Sequence, residues 1–209
     1  MGSCEMNISK NPIIISWCAP IIPSNSIAGI PIGLEHECLK SILSKYIVDA
    51  QKELYRFDGS PTLKLEESFI NDDGDGYYHF VLSDASLTNR DNLFQLQDSF
   101  YSRALHIGIR CHKVFFVKVW AFEVLNNHKS LYSYQGRTKE NLGLYSQVKD
   151  FKVYSDLEFD EAEEWFYTDT KYGGLEITGY GQSLEELPQQ KVMAIAVIPE
   201  SAYMLDKTE

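Results

Sequence analysis

The sequence predicts an α+β protein that is mostly antiparallel β-sheet, with one or two amphipathic helices. Short alternating apolar runs, such as residues 105–111, are separated by turn signals at residues 58–61 and 72–76. The clearest three- and four-residue spacing of apolar residues lies at residues 34–48, which predicts a helix there. With 209 residues, of which 44% are hydrophobic, the chain is long enough to bury a core as a single domain.

The first half of the chain is predicted to form a strand, a helix and then a meander. A β-branched segment at residues 13–22, interrupted by proline, predicts an entry strand before the helix. After the helix the apolar period shortens to two, and the runs up to residue 82 predict antiparallel strands. Residues 105–111 and 114–122 flank the polar corner Cys111-His112-Lys113 and predict a β-hairpin at the centre of the sheet.

The second half is predicted to begin with a connector and a short helical segment at residues 145–151. Strands are then predicted near residues 153–154, 164–167 and 175–178. The final run at residues 192–198 is apolar on both faces, as in a central strand.

A short internal echo leaves the domain organisation with two alternatives. Ile32-Gly33-Leu34 and Leu142-Gly143-Leu144 each precede a helical segment that is followed by strands. We predict a single domain over residues 1–209, either as one unrepeated fold or as two related halves, 1–126 and 136–209, that share one sheet.

Acidic charge is concentrated in one part of the sequence. The formal net charge is −11, and residues 156–188 hold ten acidic residues against one basic residue, Lys171. This balance argues against nucleic acid as a direct partner, because phosphates are bound by Lys and Arg, and it favours a basic protein partner. Aromatic residues lie within the run and could anchor such a partner. The predicted partner-binding residues are Asp156, Glu158, Asp160, Glu161, Glu163, Glu164, Trp165, Tyr167 and Tyr172.

Motifs for catalysis and metal binding are weak in this sequence, and we predict no enzyme, no metal and no cofactor. Residues 71–76 resemble half of a calcium loop, but the twelfth place is Leu82 instead of a glutamate, so a hairpin turn is favoured. His106 and His112 would lie on one face of a strand and Cys111 on the other, which disfavours a zinc or nucleophile site. The nearby basic residues Arg103 and Lys118 either pair with the acidic region or mark a separate contact for an anion.

The cysteine usage and the apolar runs bear on the cellular compartment. The four cysteines are scattered, which is typical of free thiols in a reducing compartment, although a disulfide between any pair remains open. The longest apolar runs fall short of the ~20 residues that a membrane helix needs. We therefore predict a cytoplasmic protein with no membrane partner, and the sequence leaves its oligomeric state open.

The C-terminal passage, and more faintly residues 29–50, resembles a known class of bacterial protein. The resemblance covers residues 136–198 and is carried by glycines and strand patterns: Leu142-Gly143-Leu144, the segments 146–150, 164–167 and 172–177, and the final strand. The chain resembles immunity proteins encoded beside polymorphic toxins of the contact-dependent inhibition and Rhs types. That resemblance implies a protein that binds one cognate toxin domain, for which a nuclease is one candidate, and blocks its active site or the approach of its substrate. It transfers no functional residues, because each pair has its own interface.

Two other classes of function remain alternatives at this point. A small carbohydrate-binding or hydrolytic domain could use Trp165, Tyr167 and nearby acids on a sugar. A structural subunit would instead associate with copies of itself. Dependence on salt separates the first alternative from a protein inhibitor, because a charge-steered protein complex weakens with ionic strength.

Overall fold

A computed structural model describes residues 12–83, 103–122, 132–168 and 174–199 and is dominated by antiparallel β-sheet, which confirms the predicted fold class. In chain order the described elements are β1 (Ser26–Ile27), β2 (Ile30–Pro31), α1 (His36–Leu43), a first 3-10 helix (Ser44–Tyr46), β3 (Ile47–Asp49), β4 (Leu54–Tyr55), β5 (Leu63–Ile70), β6 (Gly76–Leu82), β7 (Arg103–Arg110), β8 (Lys113–Trp120), a second 3-10 helix (Val148–Val153), β9 (Leu157–Asp160), β10 (Trp165–Thr168), β11 (Leu175–Thr178) and β12 (Ala194–Val197).

Ten of these strands form one sheet in the order β3-β4-β5-β6-β7-β8-β12-β11-β10-β9. Every neighbouring pair is antiparallel, and the two halves of the chain meet where β8 pairs with β12. The hairpin β7–β8 lies at the centre of the sheet, as predicted, and its turn residues Cys111 and His112 both have positive φ. All four residues of β12 are buried, as expected for a central strand. One domain over residues 1–209 remains a prediction.

One face of the sheet carries the hydrophobic core. Alternate residues of the central strands point to it, and the buried side chains form one cluster with α1 and the segment before it. Trp17 is fully buried, stacks on Phe57 and meets Tyr134 edge to face. The Trp17 indole N–H donates to the Tyr132 carbonyl, so the segment that follows β8 is bonded to the core. Core members from the sheet include Phe80, Leu105, Ile107, Val117, Val119, Phe166, Ile177 and Ile195.

The predicted helix over residues 34–48 is too long. The α-helix ends at Leu43, a 3-10 turn follows, and Ile47 begins β3. The Tyr46 hydroxyl accepts a hydrogen bond from the Ile15 N–H, so Tyr46 packs into the layer below the sheet. The apolar residues that follow Leu43 belong to this turn and to the edge strand β3, so the apolar spacing continues although the helix has ended.

Two predicted strands are also wrong. The segment 13–22 forms isolated bridges, Ser16 to Asp58 and Ile22 to Ser26, instead of a strand. Residues 153–154 end the second 3-10 helix, and the strand begins later, at Leu157. The loop at residues 71–76 is a hairpin turn, as predicted, in which the Asn71 side chain accepts from the Asp75 N–H.

Two of the cysteines, Cys18 and Cys111, are free and exposed. Cys38 of α1 is disulfide-bonded, which is the alternative that the sequence left open. Among the described residues, no helix has the length and apolar character needed to cross a membrane.

Candidate functional site

The face of the sheet opposite the core carries a band of aromatic and charged side chains, which we call the polar-aromatic face. Because side chains alternate along a strand, the neighbours of the core residues point to this second face. Its members are Glu67, Tyr77, His79, His106, Phe116, Lys118, Trp120, Trp165, Tyr167 and Glu176.

Two rows of side chains cross this face at right angles to the strands. In one row, Trp120 of β8 is paired with Ala194 of β12, and Ala194 is paired with Thr178 of β11. Continuing the register of β10 and β11 by one residue places Trp165 beside Thr178. Two tryptophans therefore bracket two small residues, at a backbone separation of about 14 Å from three strand spacings.

The second row carries charge. It runs from Glu158 of β9 through Tyr167, Glu176 and Ala196 to Lys118 of β8. From Lys118 the row continues to His106 and His79.

The acidic hairpin formed by β9, residues 161–164 and β10 borders the tryptophan row. Asp160 Oδ1 accepts hydrogen bonds from the N–H groups of Ala162 at 2.8 Å and Glu163 at 3.0 Å. The Glu164 N–H donates to the Asp160 carbonyl at 2.9 Å, and Glu164 has a positive φ of 60°. These bonds fix the loop, so Asp160 holds its own hairpin while the loop glutamates remain exposed.

The structure brings together most of the predicted partner-binding residues. Glu158 is exposed opposite the half-buried Tyr167, and Trp165 is half-buried on the same face. Glu161, Glu163 and Glu164 are exposed in the loop beside it. The members that do not join this group are Asp156, which is exposed but precedes β9, and Tyr172, which lies outside the described residues.

A cleft of about 500 Å³ opens between the acidic loop and the end of β8. Its size falls within the roughly 300–1,000 Å³ range of small-ligand sites. The lining residues include Glu163, Glu164 and Trp165, which were predicted, and Arg103, Trp120, Thr178, Tyr180 and Met193, which were not.

One wall of the cleft is the loop at residues 179–183, which is held by Gln190. The Gln190 side chain is 1% exposed, and its Oε1 accepts from the Tyr180 N–H at 3.0 Å. Its Nε2 donates to the carbonyls of Gln182 at 2.7 Å and Ser183 at 3.3 Å. A Cβ on Gly179 would lie 2.1 Å from Gln190 Oε1, so glycine permits this close approach.

Lys118 connects the basic stretch of the sequence to the acidic region. Its Nζ lies 3.7 Å from Glu176 Oε2 and 4.4 Å from the centre of the Trp165 ring. The side chains of Lys118 and Glu176 are 23% and 15% exposed, so the ion pair is partly shielded from water. The sequence left open whether the basic residues pair with the acidic region or contact a separate anion. For Lys118, the structure supports pairing with the acidic region.

His79 and His106 lie side by side in the middle of the face, with ring centres 5.5 Å apart. The Nε2 atoms of both rings are buried and have no hydrogen-bond partner among the described residues. Burial lowers the pKa of His106 to about 4, and the positive potential of His79, Lys118 and Arg103 adds to this effect. Burial also lowers the pKa of His79, so both rings are neutral at pH 7.

Negative potential surrounds Tyr167. Burial, together with the carboxylates of Glu176, Asp160 and Glu163, raises the pKa of its hydroxyl to about 12. Within the described ranges, no group of three or more His, Cys, Asp or Glu side chains is placed to hold a metal ion.

Sequence reasoning missed Trp120 and the cleft for an identifiable reason. The alternation of β8 does place Lys118 and Trp120 on one face. Their position opposite Trp165 depends on the pairing of β8 with β12, which are far apart in the sequence.

Comparison with protein-family models, with curated proteins and with solved structures found no match. Function is therefore inferred from the geometry of this face.

Proposed function

We propose that this protein is a stoichiometric protein-binding inhibitor, an immunity protein that neutralises a cognate bacterial toxin domain. The observation that carries the proposal is the acidic hairpin. It places exposed carboxylates of Glu158, Glu161, Glu163 and Glu164 around the half-buried Trp165. This is the arrangement of a binding surface with an aromatic anchor and a charged rim.

The charge of this hairpin favours a cationic partner. Glu161, Glu163 and Glu164 take part in none of the ion pairs within the described part of the chain. Their field therefore extends into solvent, where it would speed encounter with a basic surface. Toxins that act on nucleic acid have cationic clefts that bind phosphates, and a rigid acidic loop could occupy such a cleft.

The proposed site of action is the cytoplasm, where such a toxin would meet its target.

The cleft itself favours a second candidate function, carbohydrate binding. Trp120, Trp165 and Tyr180 offer flat apolar surfaces, and Glu163, Glu164 and Arg103 offer hydrogen-bonding groups. Binding of a neutral sugar would depend little on ionic strength, whereas binding of a charged partner would weaken as ionic strength rises.

The test is affinity capture from a lysate of the source organism with charge-matched variants. The variant E161K/E163K reverses two loop charges, and D72K/D73K reverses two exposed charges in the β5–β6 turn. Glu164 is kept, because its carbonyl accepts from Thr178 and its φ is positive. We expect one basic protein to be retained by the wild type and by D72K/D73K, and lost with E161K/E163K or at high salt.

The captured protein must then be inhibited for the proposal to stand. Its toxicity or enzymatic activity is titrated with the purified wild-type chain, and activity should vanish at a one-to-one ratio. Equal retention by both variants, or activity that persists with excess chain, would overturn the proposal.

A further inference from the structure

We propose that the cleft between Trp120 and Trp165 is a pocket for an arginine side chain of the partner protein. This inference rests on the proposed function and deepens it, because it names the chemistry of the group that enters the site.

The walls of the cleft include two indole rings, on which a flat cation can stack. Trp120 and Trp165 stand at either end of a row whose middle members, Thr178 and Ala194, are small. The strand register and the small size of these two residues therefore leave room above the sheet between the two tryptophans. Guanidinium groups stack favourably on tryptophan rings.

The charge at the cleft favours a cation over an anion. Glu163 and Glu164 line it and have no ion-pair partner among the described residues. Arg103 also lines the cleft, so the lining holds two carboxylates against one cation. Lys118, at the base of Trp165, is paired with Glu176. An incoming guanidinium would find two carboxylates placed to accept its N–H groups.

The cleft is formed before any partner arrives. The hydrogen bonds of Asp160 hold the acidic loop, and those of the buried Gln190 hold the opposite wall. A site held in this way loses little conformational entropy on binding. Arginine suits it better than lysine, because a planar fork can stack on an indole and bond a carboxylate at the same time.

The three tryptophans of the chain supply the test. Trp120 and Trp165 line the cleft, whereas Trp17 is buried in the core. The indole N–H signals of the ¹⁵N-labelled full chain, assigned with single Trp→Phe variants, are followed during titration with N-acetyl-arginine amide. The neutral isostere N-acetyl-citrulline amide is titrated separately at matched ionic strength. We expect the arginine amide to shift the Trp120 and Trp165 signals and leave Trp17 in place, and the citrulline amide to shift none.

A matched pair of variants tests the role of the carboxylates. E163Q/E164Q removes the charge at the cleft, and D72N/D73N removes two exposed charges from the β5–β6 turn. The dissociation constant for the arginine amide should rise at least about fivefold in E163Q/E164Q and change less than twofold in D72N/D73N.

The outcomes separate this inference from the proposed function. Equal shifts with arginine and citrulline amides, shifts with methyl glycosides, or no shifts would each overturn the arginine pocket. The proposed function would still stand if the partner were captured and inhibited in a manner that depends on Glu161 and Glu163. An arginine pocket without any inhibited partner would reject the immunity function alone.

Discussion

His106 shows how a single residue on the polar-aromatic face responds to its surroundings. Its ring lies among Tyr77, Phe116 and Trp120, with centre distances of 5.5, 5.1 and 6.3 Å. Its buried Nε2 finds no hydrogen-bond partner among the described residues. The ring therefore acts as an aromatic packing element that resists protonation.

The low pKa of His106 predicts an acid-sensitive stability. Its pKa is about 4 in the folded protein against a usual 6.5. Between these values the unfolded chain binds a proton that the folded chain does not, so stability falls as the pH falls through this window. In His106→Phe, the loss of unfolding free energy between pH 6.5 and pH 4 should be smaller than in the wild type by roughly 1–3 kcal/mol.

Urea unfolding at a series of pH values measures this difference. Above about pH 8 the difference in unfolding free energy between the two proteins should no longer change with pH, because His106 carries no proton in the folded or the unfolded state. Parallel curves for the two proteins across the acidic window would show that His106 does not contribute to the acid sensitivity.

At the scale of the element, the loop between β11 and β12 depends on one buried amide. Gln190 accepts from the Tyr180 N–H and donates to two loop carbonyls, while its neighbour Gln189 is exposed. Proline at position 188 and glycines at 179 and 181 would otherwise leave this segment with little regular structure. The amide therefore sets the position of one wall of the cleft.

Gln190→Leu is expected to lower the free energy of unfolding by about 2–3 kcal/mol, because leucine cannot replace the three hydrogen bonds that the buried Gln190 amide makes to backbone groups of the loop. Gln189→Leu, on the exposed neighbour, should change it by less than about 0.5 kcal/mol. Thermal and urea unfolding measure both values. The Trp120 and Trp165 indole signals should also broaden or move in Gln190→Leu. A Gln190→Leu protein as stable as Gln189→Leu, with unmoved signals, would contradict this role.

The elements also show what could be predicted from the sequence. Local patterns were sufficient for the β7–β8 hairpin, because Leu105, Ile107 and Ile109 alternate and the turn follows directly. The end of α1 was missed, because Tyr46 and Ile47 keep an apolar spacing while they belong to a turn and to β3. The acidic hairpin was predicted as a surface, but the cleft depends on long-range pairing of β8 with β12, which no local pattern encodes.

At the scale of the whole molecule, acidic charge is concentrated toward one edge of the ten-stranded sheet. The acidic hairpin β9–β10 forms one edge, and β3 forms the other. Residues 156–188 carry most of the net charge of −11. Because screening acts over about 8 Å at physiological salt, an approaching cationic protein feels this edge more strongly than the rest of the surface.

The most direct measurement is the association rate constant of the captured partner with three proteins over a range of salt concentrations. The proteins are the wild type, E161K/E163K and D72K/D73K, the last two having the same change in net charge. At low salt we expect E161K/E163K to associate at least about tenfold more slowly than the wild type, with a flatter dependence on salt. D72K/D73K should stay within about threefold of the wild type and keep its salt dependence. Equal slowing by both variants would mean that net charge alone acts, and unchanged rates for E161K/E163K would mean that the acidic hairpin does not meet the partner.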